Sequence, residues 1–142
     1  MLDIKTAGAE TYHALQSVLK SFPYILQGKI ELLLSGNVPK QEILKEGFSA
    51  HRICVDGRPE DLGRGVPSSQ MPWISDRFSR WSDGNLGLEK IINLAKKVHE
   101  EGKKLRLWTI PDDPASHQKL FEAGVDIINT DQLSAPTYRE NE

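Results

Sequence analysis

Short apolar runs alternate with amphipathic stretches along nearly the whole chain, and that alternation limits the fold more than any other feature. "LDIK" reads as a strand, and "AETYHALQSVLKSF" follows with Tyr12, Leu15, Val18 and Leu19 at helical spacing. "KIELLLSG" is an almost continuous apolar run closed by glycine, which suits a strand covered on both faces. "KQEILKEGF" reads as a short helix ending near Gly47, and "HRICVDG" as the next strand. "EDLGRGVPSSQ" has a loop's composition; "MPWISD" reads as a short strand that Pro72 weakens. "LEKIINLAKKVHEEG" is the clearest helix, with Leu88, Ile91, Ala95 and Val98 on one stripe, Gly102 as its stop and "SDGNLG" as its lead-in. "KLRLWTI" then reads as a strand, "PASHQKLFEAG" as a helix and "VDIINTD" as a last strand.

Strand followed by helix, repeated, implies a parallel sheet with right-handed crossovers. The expected class is α/β with about six parallel strands, and an open doubly wound sheet and a closed (β/α) barrel both fit that pattern. Residues 1–133 form one domain in this reading, and the polar stretch 134–142 is a tail. Every expected strand ends in polar residues: Lys5 and Thr6, Ser35 and Asn37, Asp56 and Arg58, Ser75 and Asp76, Trp108 and Thr109, Asn129 and Asp131. In both architectures ligands bind at the carboxyl ends of parallel strands, so this polar set is the main functional signal. The plainer explanation for any one member is a strand running into a polar loop.

Composition removes several classes. With 142 residues and a formal net charge of -2, the chain suits one domain and lacks the basic footprint of a nucleic-acid binder. No apolar run is long enough to cross a bilayer. The single cysteine, Cys54, excludes an internal disulfide framework, and its apolar setting in "RICVD" predicts a buried, inert thiol. No glycine-rich phosphate fingerprint follows any strand, which argues against an open nucleotide-binding fold.

Several stretches resemble the glycerophosphodiester phosphodiesterase-like group of the phosphatidylinositol-phospholipase-C-like phosphodiesterase superfamily. The most specific is "KLRLWTIPDDPASHQKLFEAGVDIINTDQL", similar to that group's closing signature. "LLLSGNVP" and "ICVDGRPEDLG" look like inner strands, and "LDIKT" like the third strand, where an acidic residue, one spacer and a lysine stand together. The resemblance runs from Leu2 to about Leu133. It implies a partial TIM-type barrel carrying strands three to eight, and a metal-dependent phosphoric diester hydrolase acting on glycerophosphodiester-like or phospholipid head-group substrates. It puts Asp3 at the place of a metal-binding carboxylate for Ca²⁺ or Mg²⁺, Lys5 facing the substrate phosphate, and Trp108 lining the pocket. The first-strand histidine of that group, its second histidine and its further acidic ligands have no counterpart here. The parent of such a piece is a lipid-metabolising enzyme, secreted in one version of this reading.

The residues themselves allow the same chemistry. Phosphodiester hydrolysis needs neutralised phosphate charge, a placed nucleophile and a proton for the leaving oxygen. Asp3 offers one oxygen ligand to a hard cation. Lys5, on the same strand face, offers a compact positive charge, and Arg58 a two-pronged phosphate contact that Asp56 could orient or join. A plain ion pair is the competing use of Asp3 and Lys5, and a packing role that of Trp108. The four histidines, His13, His51, His99 and His117, fall on helices or at a strand start rather than at strand ends. The expected chain therefore binds phosphodiesters but does not hydrolyse them alone. A non-catalytic module holding a phosphorylated or sugar ligand is the alternative. A barrel lacking two strands has open edges, so self-association, or an upstream segment completing the ring, is the expected partner.

Overall fold

The computed structural model describes residues 1–22, 30–47, 52–82 and 88–131. His51, the "SDGNLG" lead-in beyond Ser82 and the tail 134–142 lie outside the described residues. Six strands, β1 (Leu2–Ile4), β2 (Leu32–Gly36), β3 (Ile53–Gly57), β4 (Trp73–Arg77), β5 (Lys104–Trp108) and β6 (Ile127–Ile128), form one all-parallel sheet in chain order. The sheet is curled into a half-barrel. Among the described residues four helices accompany it: α1 (Gly8–Leu19), α2 (Lys40–Glu46), α3 (Leu88–Glu100) and α4 (Pro114–Glu122). The strand–helix alternation predicts the parallel α/β sheet, and of the two architectures it leaves open the sheet takes the partial-barrel form.

Side chains along a strand alternate between faces, and the alternation divides this sheet sharply. Ile4, Leu34, Ile53, Val55, Ile74, Leu105 and Leu107 turn to the helices and pack with Tyr12, Leu19, Ile43, Ile91, Leu94, Val98 and Leu120 in one core. Asp3, Ser35, Asp56, Ser75, Arg106 and Trp108 occupy the opposite face. The helix layer holds the fold together; the other face carries charge.

The helix ends follow from local chemistry. Ile91, Leu94, Ala95 and Val98 form the buried stripe of α3. The helix stops where Gly102 turns to φ 65°, its N–H donating to the His99 carbonyl while the Lys103 N–H reaches the Val98 carbonyl. In α4, Asp113 caps the first turn by accepting from the Ser116 N–H, and Pro114 takes the first helical position. That cap holds the Asp113 carboxyl below its usual range, chiefly through the Ser116 hydroxyl and N–H. Pro72 does not interrupt β4, because it precedes the strand and contributes only its carbonyl, which accepts from the Lys104 N–H at 2.9 Å. Burial raises the Cys54 thiol to about 11, with Glu31 adding to the shift, so it stays protonated at neutral pH.

Candidate functional site: a charged cleft at the carboxyl ends of the strands

A cleft of about 430 Å³ opens at the carboxyl ends of the strands, lined by groups from β1, β2, β5 and the segments after β3, β5 and β6. Asp3, Lys5, Arg58 and Trp108 all line it, so four of the five predicted site residues share one concavity. Asp56 does not line it. Its side chain is fully buried beneath the cleft.

Asp56 is a hub for four adjacent strands. It accepts from the Ser35 hydroxyl of β2 at 2.7 Å and from the Ser75 hydroxyl of β4. Arg58 Nη1, just past β3, donates to its Oδ2 at 2.9 Å, and Arg106 Nη1 of β5 stands 3.5 Å from the same oxygen. A fully buried carboxylate is tolerable only when its lone pairs and charge are met, and here they are. Of the two uses that the sequence leaves open for Asp56, orienting Arg58 is the one its position fits.

Arg58 is held at both ends. Its guanidinium is fixed by Asp56 and by the Gly57 carbonyl, and its backbone N–H donates to Asp61 Oδ2 at 2.8 Å. Asp61 also takes Lys40 Nζ of α2 at 2.6 Å. Burial works to raise the Asp61 carboxyl, but the Lys40 ammonium and the Arg58 N–H outweigh it and leave the group below its usual range. The Arg58 and Arg106 guanidinium carbons lie 5.2 and 5.6 Å from the centre of the Trp108 ring, within cation–π range.

The β1 side is built more loosely. Lys5 Nζ meets Asp3 Oδ2 at 2.6 Å, with side-chain exposures of 78% and 41%. The strand can come this close to β2 only because Gly36 has no side chain. At φ 80°, a Cβ there would stand 2.3 Å from Asp3 Oδ1 and 2.4 Å from the Ile4 carbonyl oxygen. Across the cleft, Thr109 holds a left-handed φ of 54°, costly for a β-branched residue, immediately after Trp108. Asp112 accepts from the Thr130 hydroxyl and, at 3.2 Å, from the Asp131 N–H, which ties the loop after β5 to the end of β6.

A Ca²⁺ or Mg²⁺ ion takes several oxygen ligands. Asp3 already faces Lys5, and no group of three His, Cys, Asp or Glu side chains stands ready for a metal among the described residues. Among the described residues, Asp3 alone does not make a ligand set for such an ion.

His13 pairs with Glu42 and His99 with Asp126, both in exposed positions away from the cleft lining. His117 is buried with Nε2 3.6 Å from Asp112 Oδ1, so it backs a cleft residue without lining the cleft itself. Two groups near the cleft escape a reading fixed on strand ends. Arg106 lies inside β5, and its signal is a lone arginine between Leu105 and Leu107 on the strand face of Trp108. Asp112 lies in the loop, where periodicity says nothing.

No family model, curated protein sequence or solved structure matches the chain.

Proposed function

We propose that the cleft binds a small phosphoester, a phosphodiester in the form that the family resemblance implies, and that the described residues bind it without cleaving it. One observation carries this reading: Lys5 and Arg58, from separate parts of the sheet, line the same cleft as Trp108 at the carboxyl ends of parallel strands. Lys5 contributes a mobile point charge and Arg58 a planar fork suited to two phosphate oxygens. Trp108 offers an apolar wall to the alcohol portion. Hydrolysis also needs a base for water and an acid for the leaving oxygen. The cleft lining holds carboxylates and cations but no histidine among the described residues.

Equilibrium binding and turnover, measured together on the whole chain with a glycerophosphodiester, test this. Saturable binding with no hydrolysis above background is expected, with or without millimolar Ca²⁺ or Mg²⁺. Absence of binding refutes the proposal. Metal-dependent turnover would restore the hydrolase reading and the metal at Asp3. Binding of a neutral sugar in preference to any phosphoester would favour the non-catalytic sugar module.

The edge of the sheet supports a second part of the reading. Met1, Leu2, Val18, Phe22 and Ile30 remain exposed, all within or beside the β1–α1–β2 unit. Among the described residues β1 is an edge strand of the sheet, and apolar exposure beside such an edge invites a partner. We infer self-association through this edge in the isolated chain. Sedimentation measurements should then show a dimer; a strictly monomeric, cooperatively folded species contradicts self-association.

A further inference from the structure

Exposure falls steeply from the rim of the cleft to its floor, from 78% at the Lys5 side chain to 32% at Arg58 and 8% at Arg106. Arg106 is therefore a guanidinium more than nine-tenths buried that still lines the cleft. A guanidinium has five N–H donors. Nε donates to Asn129 Oδ1 at 3.0 Å. Nη1 has only two contacts at 3.5 Å, to Asp56 Oδ2 and Ser75 Oγ. Nη2 has no acceptor among the described residues.

A structural counter-ion for Asp56 would not look like this. Arg58 already approaches that carboxylate at 2.9 Å, and Ser35 and Ser75 donate to it as well. Arg106 stands further off, held from the side by Asn129, with a whole edge of its fork unmatched. Nη2 is not sealed from solvent, so its open edge faces the cleft, where an arriving oxyanion can take the place of water. Burial also lowers the Arg106 pKa from its ordinary value, although an arginine remains charged at neutral pH. Away from bulk water, its attraction for an anion is screened least of the three cations.

We propose that Arg106 is the principal contact for the ligand's oxyanion, taking two unbridged oxygens of a tetrahedral group on its free edge, and that Asn129 is the residue that positions it. Lys5 and Arg58 then gather the anion at the rim, and Arg106 fixes it at the floor. This rests on the phosphoester reading of the cleft, and it adds a residue to which the family resemblance assigns no role.

The test uses the whole chain and two probes, inorganic phosphate and dimethyl phosphate, followed by calorimetry. Arg106→Lys keeps a positive charge beside Asp56 but loses the fork, and should weaken both probes about tenfold or more. Asn129→Leu should weaken them by a smaller factor and lower the denaturation midpoint modestly, because it removes the acceptor of the Arg106 Nε–H. A measurement on the unaltered chain guards against misfolding of the variants. The Nε–Hε resonance of Arg106, assigned through its contacts to the Trp108 ring, should shift saturably with the calorimetric Kd. If the unaltered chain binds phosphate while Arg106→Lys binds within twofold of it, or the Arg106 resonance stays fixed throughout the titration, the role of Arg106 is refuted and the phosphoester cleft stands. If the unaltered chain binds neither probe, the phosphoester reading itself is refuted.

Discussion

The two sides of the cleft use the same chemistry under opposite conditions. On the β3–β5 side, Asp56 is wholly buried and engages two guanidiniums and two hydroxyls from four strands. On the β1 side, Asp3 and Lys5 form a pair at 2.6 Å that is largely open to water. Buried charges must have every partner in place, which fixes geometry; exposed pairs contribute little energy and leave their side chains free to move. The cleft thus has one wall set before any ligand arrives and another that can adjust to it.

The largest expected effect lies in the buried wall. Asp56→Ala would leave Arg58 and Arg106 facing each other without a counter-charge and remove the acceptor of Ser35 and Ser75. Urea denaturation should show a loss of roughly 3–5 kcal/mol. A loss below about 1 kcal/mol would mean that the hub is not the rigid element described.

Next comes the seam between the walls. Gly36→Ala places a Cβ against Asp3 and the Ile4 carbonyl, at a positive φ. A cost of about 1–3 kcal/mol follows. Hydrogen exchange should locate it at the Asn37 N–H, which donates to the Ile4 carbonyl at 2.8 Å. Unchanged protection there would show that β1 is not held by this close approach.

Asp61 separates the walls by pH. Its folded carboxyl lies below the ordinary value, so its contribution is present above the unfolded pKa of about 3.9 and is lost as pH falls through the folded pKa. Unfolding free energies at pH 7 and pH 3 should differ less in Asp61→Asn than in the parent chain. An equal difference in both would remove Asp61 from the set that holds Arg58.

The smallest effect belongs to Lys5→Ala. Stability should change by no more than about 0.5 kcal/mol, while phosphoester affinity falls and loses part of its salt dependence. A large loss of stability would make the Asp3–Lys5 pair structural and erase the contrast between the two walls.

The same contrast explains what the sequence disclosed. The parallel α/β layering was legible because its apolar runs and helical stripes share one requirement, a buried layer between strands and helices; the half-barrel curl was one of two forms that this pattern left open. Leu105 and Leu107 belong to that layer as plainly as Ile91, Leu94 and Val98 do. Asp3 and Lys5 were legible because a short strand puts residues two apart on one face. Arg106 was not, because the expectation looked to strand ends and this arginine sits two positions deeper than Trp108. The sequence also left Asp56 two uses. Only the approach of Ser35 and Ser75 from neighbouring strands distinguishes an orienting carboxylate from a ligand-binding one. β6 covers only Ile127–Ile128, shorter than "VDIINTD" suggests, although the flanking Asp126 and Asn129 N–H groups still donate to the Leu105 and Leu107 carbonyls.

A residue-by-residue NMR titration of the amide signals with a glycerophosphodiester tests the central claim most directly. Saturable shifts should cluster at Lys5, Gly36, Arg58, Thr109 and Asn129, with none at Gly102 and Lys103 at the far end of α3. Shifts confined to the helix surface, or scattered without saturation, would contradict a ligand site at the carboxyl ends of these strands.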